Sequence, residues 1–493
     1  MIKYKSTRGS SAEKTAAQAV IQGLAEDRGL YVPDSIPALP FQPSEMIGRP
    51  YKDIARAVIS AFFTDYTGEE MQACVDGAYD EKFEAEDIVP VTSAGGAYFL
   101  ELYHGKTAAF KDMALSILPY LLTTAMKKEK EDKKIAILTA TSGDTGKAAL
   151  EGFADVEGTE IIVFFPSDGV SEVQKRQMTT QEGKNTHVFA IHGNFDDAQT
   201  GVKKIFNDDE FSAMLKENGI KLSSANSINI GRLVPQVAYY VYAYIRLLEQ
   251  GAVKEGEKIN IVVPTGNFGN ILAAYYAKNM GIPVNRFICA SNKNKVLTDF
   301  INTGVYDTNR EFYCTNSPSM DILISSNLER LLYHLSGGDG AAISKLMEDL
   351  ENEKRYQVSG AVKEKMSDFF GGFADEEETK KAIAEMYEKY GYLIDTHTAV
   401  AYKVYEDYRN ATGDETPTVI ASTASAYKFA VSVAEALNMP KEPDGFAYVR
   451  ALCEKTKVKI PSGLKDLDKK EIRHDSVIDR TALAKAVKDS LGL

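Results

Sequence analysis

The sequence predicts an α/β protein: doubly wound, mainly parallel sheets in two lobes with a ligand cleft between them, preceded by a mostly helical N-terminal domain. Short β-rich runs recur, each followed by a polar or Gly-rich turn and then an amphipathic helix. The runs at 134–138, 161–165, 259–263 and 418–420 lead into TATSGDTGKAAL, PSDGVSEVQKRQM, PTGNFGNILAAYYAKNMG and ASTASAYKFAVSVAEAL. At 493 residues the chain is also longer than a single hydrophobic core accommodates, so more than one lobe is expected.

Local punctuation sets the boundaries. Residues 1–90 form the N-terminal domain, read as a separate lobe: helical spacing over 15–24, a Pro-rich stretch over 33–50, then further helix. After Val89-Pro90 strands begin to alternate with helices, so 91–493 is the main region, with a smaller α/β lobe at roughly 132–225 inserted in the larger one. Between 307 and 390 the rhythm gives way to charged stretches such as GGDGAAISKLMEDLENEKRY and FFGGFADEEETKKAIAEMYEKY, which predict a helical insertion with a solvated face.

Composition narrows the function. A net charge of −13 repels nucleic acid and anionic membranes, so neither is expected as a partner, and a small anionic substrate would need a local basic pocket. The four cysteines are far apart with no CxxC pair, which suggests neither a metal site nor a disulfide framework and fits a reducing cytoplasm. The opening MIKYKSTRGS lacks the apolar segment of a secretory signal, and no apolar run is long enough to span a bilayer.

The loop PTGNFGN at 264–270 follows an apolar run and opens a helix. Backbone N–H groups beside Gly266 and Gly269 can approach an anion closely, and the helix dipole adds partial positive charge at the same point, which suits phosphate. A tight turn with no ligand would carry the same residues. The loop does not match G-x-G-x-x-G, so a dinucleotide is disfavoured. TSGDTGKA at 141–148 fails as a nucleotide P-loop, because Thr141 holds the first glycine position and Ala148 the final Ser/Thr position.

Lys111 stands where an apolar helix begins after the run at 97–102. Apolar neighbours and a positive helix end both disfavour an ammonium, lowering the lysine from its usual pKa of about 10.4 toward the neutral amine that imine chemistry requires. Most lysines at helix starts are simply solvated, so the surroundings must decide.

Those surroundings resemble one family. HGKTAAFKD (104–112), PTGNFGN (264–270) and ASTASAYKF (421–429) are similar, in this order, to the cofactor-lysine, cofactor-phosphate and pyridine-nitrogen segments of threonine synthases, which have the type II pyridoxal-phosphate enzyme fold. TSGDTG at 141–146, SSANSINIGRLVPQ at 223–236 and SPSMDILISSNLERLL at 317–332 extend the likeness, as do STRG at 6–9 and GLYVP at 29–33. Departures are Asp27-Arg28 where Asp-Gly is expected before GLYVP, Met113-Ala114 for the commoner Phe-Gly/Ala, and Ala424–Tyr427 where Ala-His-Pro-Ala is frequent. None removes a group that the chemistry needs.

The resemblance implies pyridoxal 5′-phosphate as cofactor, held in the cleft between the lobes, and O-phospho-L-homoserine as substrate, converted with water to L-threonine and phosphate. It makes Lys111 the catalytic and cofactor-bonding lysine, Gly266, Asn267, Phe268, Gly269 and Asn270 the phosphate loop, and Thr423 the partner of the pyridine nitrogen. Ser142, Gly143, Asp144 and Thr145 would clasp the substrate carboxylate, with Asp144 near the cofactor ring or the substrate amine. Asn226, Ser227, Asn229 and Arg232 offer donors for a substrate phosphate. Blander readings stand beside these: Thr423, Ser142 or Thr145 as helix caps, His104 as a turn residue rather than a base, and the tyrosines at 239, 240, 242 and 244 as a buried helix face. The competing functions are another lyase or dehydratase of the same fold and a non-catalytic binding protein.

Overall fold

The computed structural model describes residues 1–10, 12–167 and 169–493; Asp168, in the predicted turn after 161–165, lies outside them. Two sheets build the two lobes. The larger runs Phe369–Phe373, Val284–Ser291, Ile259–Pro264, Thr418–Ser422, Ala97–Glu101, Val91–Ala94 from edge to edge. All neighbours are parallel except the last two strands, an antiparallel hairpin turned by Gly95 and Gly96 at φ 56° and 79°. Two consecutive residues at positive φ make a turn whose twist matches the strands, which is what the Gly-Gly pair supplies. The smaller sheet runs Val477–Asp479, Thr186–His192, Thr159–Pro166, Lys134–Ala140, Ile220–Ser224 and is parallel throughout. Helices cover both faces of such sheets, so central strands such as INIVVP and TVIAS are buried at every position and read as continuous apolar runs.

Three boundaries differ from the sequence reading. The smaller lobe is not confined to 132–225: the strand Val477–Asp479 completes its edge, and the helix Leu483–Leu491 buries Leu483 and Val487 in its core. Three residues at a solvent-facing edge carry too little alternation to be seen in sequence. The insertion at 307–390 is not all helix, because Phe369–Phe373 joins the larger sheet at its edge. Its FFGGF sequence hides the strand, although Gly371 is needed there: a Cβ would come within 2.9 Å of the Thr298 backbone.

The third difference concerns the N-terminal domain, which is no free-standing lobe. The helix Tyr51–Phe62 turns Ile54, Val58, Ile59 and Phe62 inward, and these share one continuous core with the helix Ile230–Glu249 of the main region. Tyr51 meets Tyr242 edge-on at 5.3 Å. Polar ties reinforce the apolar ones: Arg8 donates from Nε and Nη2 to Glu329 at 3.0 Å each, and Arg330 donates to the Tyr31 carbonyl at 2.9 Å. Among the described residues no helix is long and apolar enough to cross a membrane, and all four cysteines are unbridged.

Candidate active site

The carboxyl ends of the two sheets face one cleft, with about 730 Å³ of empty space, lined by residues that immediately follow the strands ending at Ala140, Ser224, Pro264 and Ser422. Phe110, Lys111, Asp144, Thr145, Asn226, Ser227, Arg232, the segment 264–270 and Thr423 all open onto it.

The loop after Ile259–Pro264 forms an anion cradle. Phe268 adopts the left-handed conformation at φ 64°, which turns the chain so that the helix Gly269–Met280 starts abruptly. The carbonyls of this loop point away and are held: Gly266 accepts from Ser325 Oγ at 2.8 Å, and Asn267 accepts from the Asn327 backbone and side chain at 3.0 and 3.1 Å. Among the described residues, the N–H groups of Gly266, Asn267, Phe268 and Gly269 have no acceptor within the protein. Gly266 is required by close approach, since a Cβ would lie 2.8 Å from the Ser319 carbonyl oxygen. Asn270 is pinned by Tyr239 and Tyr240, whose hydroxyls both donate to its Oδ1, and its buried Nδ2 is left unpaired. Two of the four buried tyrosines thus serve the loop from behind.

Arg232 lies on the same side, in the first turn of Ile230–Glu249, and is 2% exposed. It donates from Nη1 to the Ala225 carbonyl at 2.9 Å, and among the described residues it has no carboxylate partner and its buried Nε is unpaired. Burial pushes its pKa down to about 10, so it stays charged at neutral pH. A buried guanidinium with an unmet donor is costly without an anion, so this geometry calls for one. Ser227 and Asn226 flank it. Asn229 does not face the cleft: its Oδ1 caps the helix at Gly231 N–H, and its Nδ2 donates to Val20 and Ser224 carbonyls, so its polar groups already have partners.

At the other end lies Lys111, at the start of the short helix Asp112–Leu115. Its Nζ is 3.5 Å from Asp144 Oδ2 and 5.0 Å from the Phe110 ring centroid. Burial lowers its pKa, Asp144 pulls it back up, and Lys428 and Arg232 push it down again. Asp144 is the node of this end. Its Oδ1 accepts from Lys428 Nζ and Gln174 Nε2, both at 2.7 Å, and its Oδ2 accepts from Ser319 Oγ at 3.2 Å. Burial pushes the Asp144 carboxyl up, but Lys428 and Lys111 outweigh it and hold it well below the usual carboxylate range. Thr145 opens onto the cleft beside it, whereas Ser142 and Gly143 do not line it. Thr141 rather than Ser142 caps this turn, accepting at Oγ1 from the N–H groups of Gly143 and Gly146 at 2.9 Å each.

Thr423 is held between these ends by its backbone: its N–H donates to Thr398 Oγ1 at 3.3 Å and its carbonyl accepts from Phe110 N–H at 2.8 Å. That second bond ties the Thr423 segment to the residue before Lys111. His104 turns away, bonding Glu101 at 2.7 Å and stacking on Tyr103. His397, absent from the sequence reading, does line the cleft. It accepts at Nε2 from Ser319 N–H at 3.1 Å, so Nδ1 carries the proton and donates to Asp395 at 2.9 Å. Lys428, Gln174, Ser319 and His397 were all missed. The first three lie inside quoted segments, but only the fold brings them to Asp144.

A phosphorylated group fits this site: unmet backbone N–H donors and an orphaned Asn270 amide at one end, a buried amine at the other. The chain matches family models described as threonine synthase N terminus (residues 3–79), pyridoxal-phosphate dependent enzyme (91–424) and threonine synthase, C-terminal (398–489). It is 41% identical over 439 residues to human threonine synthase-like 1, covering 86% of this chain; the chain spans 58% of that relative's length. Threonine synthase of Pseudomonas aeruginosa is 37% identical, with 88% of this chain and 90% of the relative covered. A crystal structure of PLP-bound threonine synthase from Brucella melitensis superposes with a TM-score of 0.86 at 35% identity, covering 99% of both chains.

Proposed function

From the premise that this chain belongs to the threonine synthase family of pyridoxal-phosphate-dependent enzymes, we propose that it converts O-phospho-L-homoserine and water to L-threonine and phosphate. The observation that carries the substrate is Arg232: a buried, charged guanidinium with an unpaired Nε, close enough to Lys111 to depress it, in a cleft that already has a separate glycine-loop cradle. Two sets of anion donors suit two phosphates, the cofactor's and the substrate's.

Pyridoxal phosphate, when bound, supplies the electron sink for carbanion chemistry at the substrate. The residues that would hold it are Lys111 through its amine, Gly266, Asn267, Phe268, Gly269 and Asn270 at the phosphate, and Thr423 at the ring nitrogen. A neutral hydroxyl in the last position leaves that nitrogen less protonated than a carboxylate would. The Lys111 amine would move protons at the substrate carbons. Arg232, with Asn226 and Ser227, binds the phosphate that departs. Asp144 and Thr145 face the substrate's amino-acid end. Four unbridged cysteines support a cytoplasmic setting.

The test is phosphate release and threonine formation from O-phospho-L-homoserine by the cofactor-loaded protein, alongside Lys111→Ala. Turnover that vanishes in the variant is the expected result. A cofactor absorbance band without turnover would retain the cofactor and replace the substrate, favouring a lyase acting on another hydroxy or phosphorylated amino acid.

A further inference from the structure

We propose that Lys428 is a positioning residue of this site: its buried ammonium is the standing partner of Asp144, which relieves Lys111 of that duty and leaves the Lys111 amine free to react. The proposal rests on Lys111 being the reactive lysine, and not on which substrate the protein takes.

The geometry divides the two lysines sharply. Both ends of the Asp144 carboxylate are occupied, but unequally: Lys428 Nζ sits 2.7 Å from Oδ1, while Lys111 Nζ sits 3.5 Å from Oδ2 and opens onto the cleft. Lys428 is wholly buried, with its Nζ also donating to the Thr107 carbonyl at 2.9 Å, so it has no water to share and no path to substrate. Its main chain is fixed too, because its carbonyl accepts from Ser171 Oγ at 3.1 Å. A carboxylate buried to 3% exposure needs one cationic partner to remain charged. Were Lys111 that partner, its amine would be held as an ammonium and could neither attack a carbonyl carbon nor accept a proton. With Lys428 in place the pair Asp144–Lys428 is neutral by itself. Asp144 then offers Lys111 a hydrogen-bond acceptor without demanding a charge.

Other charged groups around Lys111 do not substitute for this arrangement. Arg232, from the helix Ile230–Glu249, repels an ammonium at Lys111 but donates to the Ala225 carbonyl rather than to Asp144. His397, from the helix Thr396–Thr412, faces the cleft with its Nδ1 proton given to Asp395. Asp112, next in the chain, is turned back onto Thr107, accepting from its N–H at 2.8 Å and from its hydroxyl. Gln174 adds a neutral donor that fixes the Asp144 rotamer. Among the described residues, Lys428 alone neutralises Asp144 at hydrogen-bonding distance while staying clear of the cleft.

The experiment measures the Lys111 amine directly. In cofactor-free protein, Lys111 is modified with an amine-reactive reagent across pH 6–10 and its labelling is followed by mass spectrometry; the absorbance of the cofactor-loaded protein is titrated in parallel. In Lys428→Met the labelling midpoint should move up by about one pH unit or more, with a roughly tenfold slower reaction at neutral pH, since a unit of pKa is a tenfold change in the neutral fraction. Lys428→Arg should restore the midpoint in part. The charge-neutral double variant Asp144→Asn/Lys428→Met should bring it back close to the parent value, and this variant decides the matter where the single one does not fold. A folded Lys428→Met protein with an unmoved Lys111 midpoint overturns the proposal even if activity is lost, and so does a double variant with the midpoint still raised. Absence of turnover on O-phospho-L-homoserine alters none of these readouts, so failure of the substrate assignment is distinguishable.

Discussion

Two Gly-rich turns join a strand to a helix on facing sides of the cleft, and they are built oppositely. The turn at 264–270 keeps its carbonyls bonded and its N–H groups open, with Asn270 and Arg232 beside it holding buried donors that meet nothing. In the turn at 141–146, by contrast, Thr141 satisfies Gly143 and Gly146, and the carboxylate of Asp144 accepts from Lys428, Gln174, Ser319 and Lys111. The first turn leaves its donors open to the cleft, whereas in the second the protein's own groups meet most of them. The contrast shows that the same strand–glycine–helix spacing can leave its donors open or have them met by the protein, so spacing alone does not distinguish the two turns.

Arg232→Met should break the first side with the largest effect. A hydrogen bond to a charged group contributes roughly 1.5–3 kcal/mol, so kcat/KM for a phosphorylated substrate should fall by about 10- to 150-fold. Folding stability should hold or rise, because the variant removes a buried charge that has no carboxylate partner among the described residues. Loss of stability with unchanged kcat/KM would make Arg232 a structural residue and end the contrast.

A second test separates two buried carboxylates next to Lys111. Asp144 is held low by its lysines, but burial pushes Asp112 up from 3.8 to about 6, against the two donations from Thr107. Folded protein therefore binds more protons at Asp112 than unfolded protein between those values, so the stability it contributes is complete below about pH 4 and is lost as pH rises through 6. In Asp112→Asn that dependence should disappear: relative to the parent, the variant should gain on the order of 2 kcal/mol between pH 4 and pH 7. Denaturant midpoints across that range measure it. A constant difference would show that Asp112 ionises freely.

Thr141→Val sharpens the satisfied side. It strips the acceptor from two buried N–H groups, and an unsatisfied buried donor costs about 1–3 kcal/mol, part of which local relaxation recovers. Stability should fall by about 1–2 kcal/mol in denaturant unfolding, with cofactor affinity within about threefold of the parent. A large loss of cofactor with intact stability would give Thr141 a role in holding the cofactor and not only in bonding the turn.

Much of this was legible in sequence, for definable reasons. Parallel strands covered on both faces leave unbroken apolar runs, and strand-to-helix turns leave glycines, so the sheets, the cleft and the loop at 264–270 could be read. What stayed hidden was set by tertiary approach. Nothing local to Lys428 says that it lies under Asp144, 284 residues earlier in the chain by the difference 428 − 144. The edge strands Phe369–Phe373 and Val477–Asp479 exist because a neighbouring strand offers them a register, and not because of their own alternation. Asn229 looked like a phosphate donor for the same reason in reverse, since the N-terminal domain that engages it lies some two hundred residues away.

The smallest expected effect concerns backbone conformation. Phe268 and Arg28 both hold the left-handed conformation, at φ 64° and 65°, but Phe268 is buried in the cradle and Arg28 is exposed beside GLYVP. At Phe268 the strain aims the loop's N–H groups. Among the described residues, the only hydrogen bond at Arg28 is from its backbone N–H to the Ala25 carbonyl at 2.9 Å, which any residue would make. Left-handed backbone costs a non-glycine residue roughly 1–2 kcal/mol, and glycine adds back about 0.4–1 kcal/mol of unfolded-state entropy. Arg28→Gly should therefore stabilise the protein by about 0.5 kcal/mol and leave cofactor binding unchanged. A destabilised variant would mean that the Arg28 side chain makes contacts worth more than the strain it imposes. A lower kcat/KM at low salt, with the gap from the parent closing as salt is added to both, would instead assign the Arg28 charge to attracting the anionic substrate, and the second of two superficially equal backbone positions would then also belong to function.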